Sequence, residues 1–401
     1  MEEIRFFHVA DLHLDSPFKG LKHMPDEVFE RIQNSTFASF EKVVSEAIAG
    51  QIDFMIISGD LFDEEDRSIQ AQARLLKQFN LLHTYGIPVY VVHGNHDHLG
   101  SHRLELDMPD NIHIFKDVTE VKQLITKKGA VVDIAGFSYG TRHVKERRIS
   151  EYPKRTEDHY MIGILHGSEG SMKSLHETYA PFTVEELLEK KYHYWALGHI
   201  HDRRILHEEP FIVYPGNIQG RHRKESGAKG CYEVVLKEHH TSLTFIPTHD
   251  VRWETCSISL EGTERFGEVF QRIQQELDGL TEDVLVDIVL TGTGALSKEM
   301  KVKLDNGDLL EALQADYDRN GDLRWIHTLR RAKDEGDRDP EQDPFLGEVI
   351  ETLEGMNGAE WEEALADLYE HPSIYRFLDP LDEGDKRSLI EETEQLLSYK
   401  G

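Results

Sequence analysis

Five short segments, each following a run of residues suited to a β-strand, constrain this chain more than any bulk property does. They are Asp11-Leu-His13, Gly59-Asp60, Gly94-Asn95-His96-Asp97, His166-Gly167 and Gly198-His199-Ile200-His201. As potential ligands they supply Asp11, Asp60, Asn95, His13, His166, His199 and His201, with His96 directly beside Asn95. Hard carboxylate and amide oxygens mixed with imidazole nitrogens suit a pair of Mn2+, Fe2+ or Zn2+ ions. Two such ions about 3.5–4 Å apart can clamp both the attacking and the leaving oxygen of a phosphoester. Together the five segments predict a dinuclear metal phosphoesterase.

The segments fall into a strand–helix rhythm. Residues 4–10 form an apolar run ending at Asp11. Residues 25–49 place Phe29, Ile32, Phe40, Val43, Val44, Ala47 and Ile48 at helical spacing, with Gly50 as the stop. A strand at 53–58 leads to Gly59-Asp60. Ser68 suits the cap of a second helix with Leu75, Leu76, Phe79 and Leu82 inward, ended by Gly86. A third strand at 87–92 leads to Gly94-Asn95. Further strands are predicted at 112–115, 131–137, 161–165, 193–197, 211–214, 231–236 and 242–247. Each ligand then lies at the carboxyl end of a strand, where open α/β sheets place their sites. Past Asp250 the pattern changes to strands at 254–260, 284–290 and 323–329 and helices at 264–277 and 304–317. Residues 333–343 are charged, contain Gly and Pro, lack apolar periodicity and read as a linker. Beyond them, 345–353, 360–369 and 386–397 read as short amphipathic helices that need a surface to bury them.

A length of 401 residues predicts two or three domains. No apolar run approaches a membrane span, and the Met-Glu-Glu start lacks the basic and long apolar segments of a signal peptide. Cys231 and Cys256 are too few for a disulfide framework. The expectation is a cytoplasmic protein with no membrane partner. The net charge of −30 argues against a protein that coats nucleic acid by itself. It is concentrated at the end: from Arg331 onward, 7 basic residues stand against 21 acidic ones.

The segments Ala-Asp11-Leu-His13, Ser-Gly-Asp60-Leu-Phe-Asp63, His-Gly-Asn95-His96-Asp97, Leu-His166-Gly and Gly-His199-Ile-His201 resemble the motifs of the calcineurin-like metallophosphoesterases. The finer resemblance is to SbcD-type DNA repair exonucleases, and within them to YhaO-type proteins. Ala-Asp-Leu-His-Leu-Asp-Ser-Pro at 10–17 and Tyr214-Pro-Gly-Asn-Ile-Gln carry that closer match. The resemblance implies an α+β fold: a four-layer α/β/β/α metallophosphoesterase sandwich over 1–250, a small α/β capping domain over 251–332, the linker 333–343, and a helical C-terminal tail over 344–401. It implies Asp11, His13 and His201 as ligands of one ion, Asn95, His166 and His199 as ligands of the other, Asp60 as the bridge, and Mn2+ as the favoured metal. His96 resembles the family's catalytic histidine, suited to protonating a departing sugar oxygen near neutral pH. Asp97 reads either as a carboxylate orienting His96 or another site histidine, or as an ordinary turn residue. Asp63 stands where related nucleases can carry a histidine touching the substrate phosphate, so that contact is not carried over. His8 and His93, inside apolar strands, read as satisfied core histidines.

DNA is the substrate the resemblance implies. Two basic runs would serve it: Arg142, Lys145, Arg147, Arg148, Lys154 and Arg155, and Arg221, Arg223, Lys224 and Lys229. Such residues hold a phosphate backbone, with Arg147, Arg148, Arg221 and Arg223 the substrate candidates; solvated loop charges are the alternative. Tyr139, Tyr152 and nearby histidines are candidates for base stacking. The expected partners are an SbcC-type coiled-coil ATPase, docked by the tail, and a second copy in a homodimer; packing of the tail on this chain's own core is the alternative. Two rival functions remain open. One is a phosphatase or phosphodiesterase for small nucleotides or phosphoproteins. The other is a non-catalytic subunit that recruits an ATPase to DNA.

Overall fold

Strands that are apolar on both faces must be covered on both sides, and this rule lays out the larger of the chain's two compact units, Met1–Pro17 with Glu30–Arg252. The structure is a computed structural model. It describes residues 2–18, 21, 24–63, 68–100, 106–156, 159–170, 179–238, 240–315, 323–332 and 344–369, with 381, 386–387, 389–390 and 393 beyond. In chain order the strands of this unit are β1 (Ile4–Val9), β2 (Phe54–Ser58), β3 (Val89–Val92), β4 (Ile112–Ile114), β5 (Glu120–Ile125), β6 (Val131–Gly136), β7 (Tyr160–His166), β8 (Tyr194–Gly198), β9 (Arg204–Glu208), β10 (Phe211–Tyr214), β11 (Gly230–Lys237) and β12 (His240–Pro247). Its helices are α1 (Asp26–Ala49), whose first turn falls in the other unit, α2 (Ile69–Thr84) and α3 (Val184–Leu188).

One sheet runs β12-β11-β1-β2-β3-β4 and the other β5-β6-β7-β8-β10-β9. The central strands β1–β4 are parallel, as are β6, β7, β8 and β10. Alternation along each strand builds three apolar layers. Phe6, Phe54, Ile56 and Val92 meet Val132, Ile134, Ile162, Ile164 and Ala196 between the sheets. There Phe6 stacks on Phe54 at 4.8 Å and meets Tyr194 of the opposite sheet edge-on at 5.4 Å. The other face of the first sheet, with Phe7, Val9, Met55 and Ile57, packs against Phe40, Val43, Val44 and Ala47 of α1 and Leu75, Phe79 and Leu82 of α2. Each fully buried Val, Leu, Ile, Phe or Met side chain among these contributes about 1.5–3 kcal/mol. The outer face of the second sheet is covered by loops and by Leu187 of α3. The sandwich therefore has four layers, the last one thin.

The second unit, Phe18–Phe29 with Trp253–Gly401, holds β13 (Arg252–Ser259), α4 (Phe266–Asp278), β14 (Val284–Thr291), α5 (Lys298–Asp305), α6 (Asp308–Ala315), β15 (Arg324–Arg331), α7 (Pro344–Gly355) and α8 (Gly358–Tyr369). The sheet β13-β14-β15 buries Ile258, Val286, Ile288, Leu290 and Ile326 against Val269, Ile273, Leu304, Leu309 and Leu313 of α4–α6. The linker 333–343 and most of the predicted helix at 386–397 lie outside the described residues. Among the described residues, no helix is long and apolar enough to cross a membrane.

Three local expectations are corrected. The single helix at 304–317 is two, because Gly307 takes φ 91°, which a helix cannot continue through. The chain leaves α1 through Gln51 at φ 49°, one residue after Gly50. Strands β5 and β9 were not expected; both are sheet edges, and β5 carries its apolar Val121 and Ile125 on the exposed side.

Gly163 in β7 has no room for a side chain. A Cβ there would lie 2.3 Å from the ring of Trp195, which is fully buried and stacked on Tyr192 at 4.7 Å. Gly163→Ala is therefore expected to cost about 1–3 kcal/mol through overpacking. Urea denaturation should show a lower midpoint with an unchanged slope.

Candidate metal centre

The loops that follow β1 and β2 run side by side and prolong the parallel pairing. The amide of Asp11 donates to the carbonyl of Gly59 (3.1 Å), His13 to Asp60 (3.0 Å) and Leu14 to Leu61 (2.9 Å). This fixes Asp11 and His13 against Asp60 in one register. Nine described non-glycine residues have positive φ, and four of them are Asp11, His13, Asp60 and His199. Strained backbone of this kind gathers where side chains must be aimed. Two glycines give the side chains space: a Cβ on Gly59 would lie 2.2 Å from His166 Nδ1, and one on Gly94 2.3 Å from Asp60 Oδ1. From the second sheet, His166 ends β7, while His199 and His201 follow β8. The His199 amide donates to both carboxylate oxygens of Asp11 at 3.0 and 3.1 Å.

The hydrogen bonds behind the imidazoles decide what their front nitrogens offer. His166 Nδ1 lies 2.9 Å from the Ser58 carbonyl, which only accepts, so Nδ1 carries the proton. The neutral ring then presents the Nε2 lone pair to Asn95 Oδ1 at 3.0 Å and Asp60 Oδ2 at 3.3 Å. His13 Nδ1 is 2.8 Å from Asp63 Oδ1, and His201 Nδ1 is 2.6 Å from Glu225 Oε1. His201 therefore donates backwards, His13 Nδ1 stands in ion-pair contact with Asp63, and the two Nε2 atoms face each other at 3.0 Å. Asp60 Oδ2 lies 3.9 Å from His13 Nε2. Electron-pair donors at these separations repel one another unless a cation lies among them. The set fits divalent ions in two adjoining positions, with Asp60 reaching both. One donor atom each from Asp11, His13 and His201 falls within 4.8 Å of the others, as it does for Asp11, Asp60 and His166.

The charges agree with this reading. Burial lowers the pKa of His166, but the carboxylates of Asp60 and Asp11 and the Ser58 carbonyl more than reverse that and push it up to about 9. Burial, reinforced by the Arg221 charge, brings His13 down to about 3. Burial raises Asp11. Burial also acts against the Asp60 anion, yet His166 and its neighbours hold that carboxyl well below its usual range.

The predicted residues divide as follows. Asp11, His13, Asp60, Asn95, His166 and His201 converge. His199 is adjacent, its ring 5.2 Å from that of His166 and 5.1 Å from that of Tyr179, but its nitrogens are not in the donor clusters found among the described residues. His96 stands beside them: its amide donates to Asp60 Oδ1, its ring meets His13 edge-on at 5.1 Å, and its Nδ1 donates to the Asp63 carbonyl at 2.7 Å. His96 also comes within 4.8 Å of donor atoms of His13 and Asp60. Of the two readings of Asp97, its backbone contacts fit the turn residue. It accepts from the amides of Leu61 (3.0 Å) and Gly94 (2.7 Å) and pairs with His93 at 2.8 Å, bracing the β2 and β3 loops, while His96 takes its orientation from Asp63. His8 is a satisfied core histidine, bonded to Tyr194 Oη and the Leu197 carbonyl.

The base-stacking expectation needs correction. Tyr139 and Tyr152 are buried and donate to the carbonyls of His166 and Ile164, so neither stacks on a base. Arg147 makes a two-pronged pair with Glu186, and Arg148 pairs with Glu151 while lying over the Phe137 ring at 4.4 Å. Arg221 is nearly buried and bonded to Asp63 and Glu225; it belongs to the support of the centre. Arg223 is half-buried. Sequence reasoning missed Glu225, Tyr139 and Tyr214 as props of the site. Tyr214 Oη donates to the Gly167 carbonyl at 2.6 Å. The one available signal was a lone glutamate within a basic run, at Arg221-His-Arg-Lys-Glu225.

Comparison with known proteins agrees with the geometry. Residues 4–203 match the family model described as calcineurin-like phosphoesterase, and residues 253–332 match that of the metallophosphoesterase YhaO middle domain. The protein named uncharacterized metallophosphoesterase YhaO, from Bacillus subtilis (strain 168), is 35% identical over 99% of this chain and 98% of its own length. DNA double-strand break repair protein Mre11 of Methanocaldococcus jannaschii is 25% identical, covering 67% of this chain and 73% of its own. The Mre11 of Thermoplasma acidophilum is 27% identical over 61% of this chain. With its donor residues gathered at the strand ends and a full-length relative at this identity, the chain belongs to the calcineurin-like metallophosphoesterases, a family of hydrolases.

Proposed function

We propose that this chain is a metal-dependent DNA nuclease that hydrolyses phosphodiester bonds at the described centre and acts in DNA repair beside an SbcC-type coiled-coil ATPase. The observation that carries the reading is the facing pair of His13 and His201 lone pairs, next to Asp60, Asn95 and His166. Asp11, His13 and His201 would hold one ion, Asn95, His166 and His199 the other, and Asp60 both; Mn2+ suits this mixture of oxygen and nitrogen donors. Such ions polarise the phosphoryl group, lower the pKa of water and neutralise the charge that builds up during displacement. The chain's own residues supply orientation and a proton. His96, held through Nδ1 by the Asp63 carbonyl, has Nε2 available to protonate the departing sugar oxygen. DNA as substrate is supported by the similarity to Mre11 proteins, which are named for double-strand break repair. The exposed Phe345 of α7 and Leu368 of α8 support docking of the tail on a partner. A small nucleotide is the competing substrate, favoured by the pairing of Arg147 and Arg148 with glutamates. Digestion of end-labelled DNA with Mn2+, with and without the ATPase, separates the two. Turnover of bis-p-nitrophenyl phosphate with DNA left intact in both conditions would reject the nuclease reading.

Asp60→Asn is expected to lose most bound metal and nearly all hydrolysis, since a shared donor and one negative charge go together. Elemental analysis showing two ions per chain with undiminished turnover would remove Asp60 from the bridging position. His96→Ala should keep its metal and slow DNA cleavage by about 10²–10⁴-fold. A phenyl phosphodiester, whose leaving group needs little protonation, should slow much less. Equal slowing of both substrates would assign His96 to phosphate binding instead.

A further inference from the structure

We propose that Glu225, clamped by Arg221, is a positioning residue for His201, and that Arg221 ties it to Asp63 so that His13 and His201 present their Nε2 atoms to one ion as a unit. This inference rests on the two-ion reading of the centre. Glu225 is 4% exposed, and its carboxylate is fully engaged. Oε1 accepts from His201 Nδ1 at 2.6 Å; Oε2 accepts from the Arg221 amide at 2.7 Å and from Asn217 Nδ2 at 2.8 Å. The Arg221 guanidinium bridges the two orienting carboxylates: Nη1 contacts Asp63 Oδ1, and Nη2 lies 3.5 Å from Glu225 Oε1. The His201 backbone is held from the same loop, by the Asn217 amide at 3.3 Å and Lys229 Nζ at 3.0 Å on its carbonyl.

The two ion positions are thereby built differently. At one, both imidazoles lean on anions, Asp63 behind His13 and Glu225 behind His201. At the other, His166 leans on the neutral Ser58 carbonyl. A carboxylate behind a ligating histidine fixes its tautomer and ring angle and raises its basicity. Two carboxylates placed against neighbouring imidazoles also repel each other, and Arg221, with its planar fork of donors, is suited to holding them together. Removing Glu225 should therefore act on one ion and spare the other. A residue that merely stabilises the loop would act on both, or on neither.

The test is a titration of the metal-free full chain with Mn2+, read by isothermal calorimetry and by the spectrum of free Mn2+, with melting temperature measured alongside. Wild type should bind two ions. Glu225→Gln should weaken one of them by about 10–100-fold, the usual effect of losing such a support, leaving the other within twofold and the metal-free melting temperature close to wild type. Cobalt-loaded Glu225→Gln should show an altered absorption band for one ion only. Should Glu225→Gln not fold, Arg221→Lys keeps the charge, loses the fork, and is expected to weaken the same ion. Wild-type affinity for both ions in the folded variants would overturn the proposal, as would equal weakening of both with a lowered melting temperature. Wild type binding fewer than two ions would instead reject the two-ion reading, and this inference with it.

Discussion

The carboxyl ends of the two sheets are joined by hydrogen bonds that cross from one to the other, and the aim of every ligand candidate depends on that seam. Ser58 Oγ donates to the Ala196 carbonyl at 3.2 Å, His8 bonds Leu197, and Asp11 receives the His199 amide. His166 closes the set through the Ser58 carbonyl. The aromatic and aliphatic layer between the sheets draws them together without direction; the seam fixes their register. Each of these bonds adds only about 0.5–1.5 kcal/mol, but leaving one buried partner unmatched costs about 1–3 kcal/mol. A shifted register would strand several at once, so the polar seam selects one arrangement. The fit is close: a Cβ on Gly198 would collide with the Ser58 carbonyl at 1.8 Å.

The seam lets the loops carry strain. Left-handed backbone at Asp11, His13, Asp60 and His199 costs about 1–3 kcal/mol at each residue. It is held because the amides of Asp11, His13 and Leu14 are bonded to the neighbouring loop and the His199 amide to Asp11. The strain aims four side chains inward from strand ends whose regular geometry would send them elsewhere. Asp97 supports this from below, tying the β2 loop to the β3 loop through Leu61 and Gly94. Its short contact with His93 makes one buried pair of what the sequence shows only as two polar residues four apart.

How much of this was legible beforehand differs between layers. The ligands stood out because Asp11, Asp60, Asn95, His166 and His199 each end an apolar run, and a buried strand announces itself by composition. The sandwich followed from the same runs. The edge strands β5 and β9 did not, because an edge strand has little to bury: β5 turns Val121 and Ile125 outward and leaves Glu120 and Lys122 half-buried. The helix predicted through Gly307 failed because one backbone angle outweighed a continuous apolar pattern. The support of the centre was the least readable. Glu225 meets His201 across 24 residues and Arg221 meets Asp63 across 158, and no local periodicity encodes such meetings. In the run Arg221-His-Arg-Lys-Glu225 the cations dominate the local pattern, and the carboxylate that gives one of them its purpose does not stand out.

Arg221 also bears on how a chain of net charge −30 could receive the polyanion proposed as its substrate. Attraction must be local, since charges more than about 8–10 Å apart across solvent are largely screened at physiological salt. In the proposed centre, Asp11, Asp60, Asp63 and Glu225 together would cancel two divalent ions. Burial pushes the carboxyls of Asp63 and Glu225 up, but the charges beside them, Arg221 foremost, hold both well below their usual range. Arg221 supplies the positive charge that keeps the cluster cationic. Its guanidinium does so while engaged by Asp63 and Glu225. A single arginine thereby allows two imidazoles to be oriented by neighbouring carboxylates while the site as a whole still favours an anion.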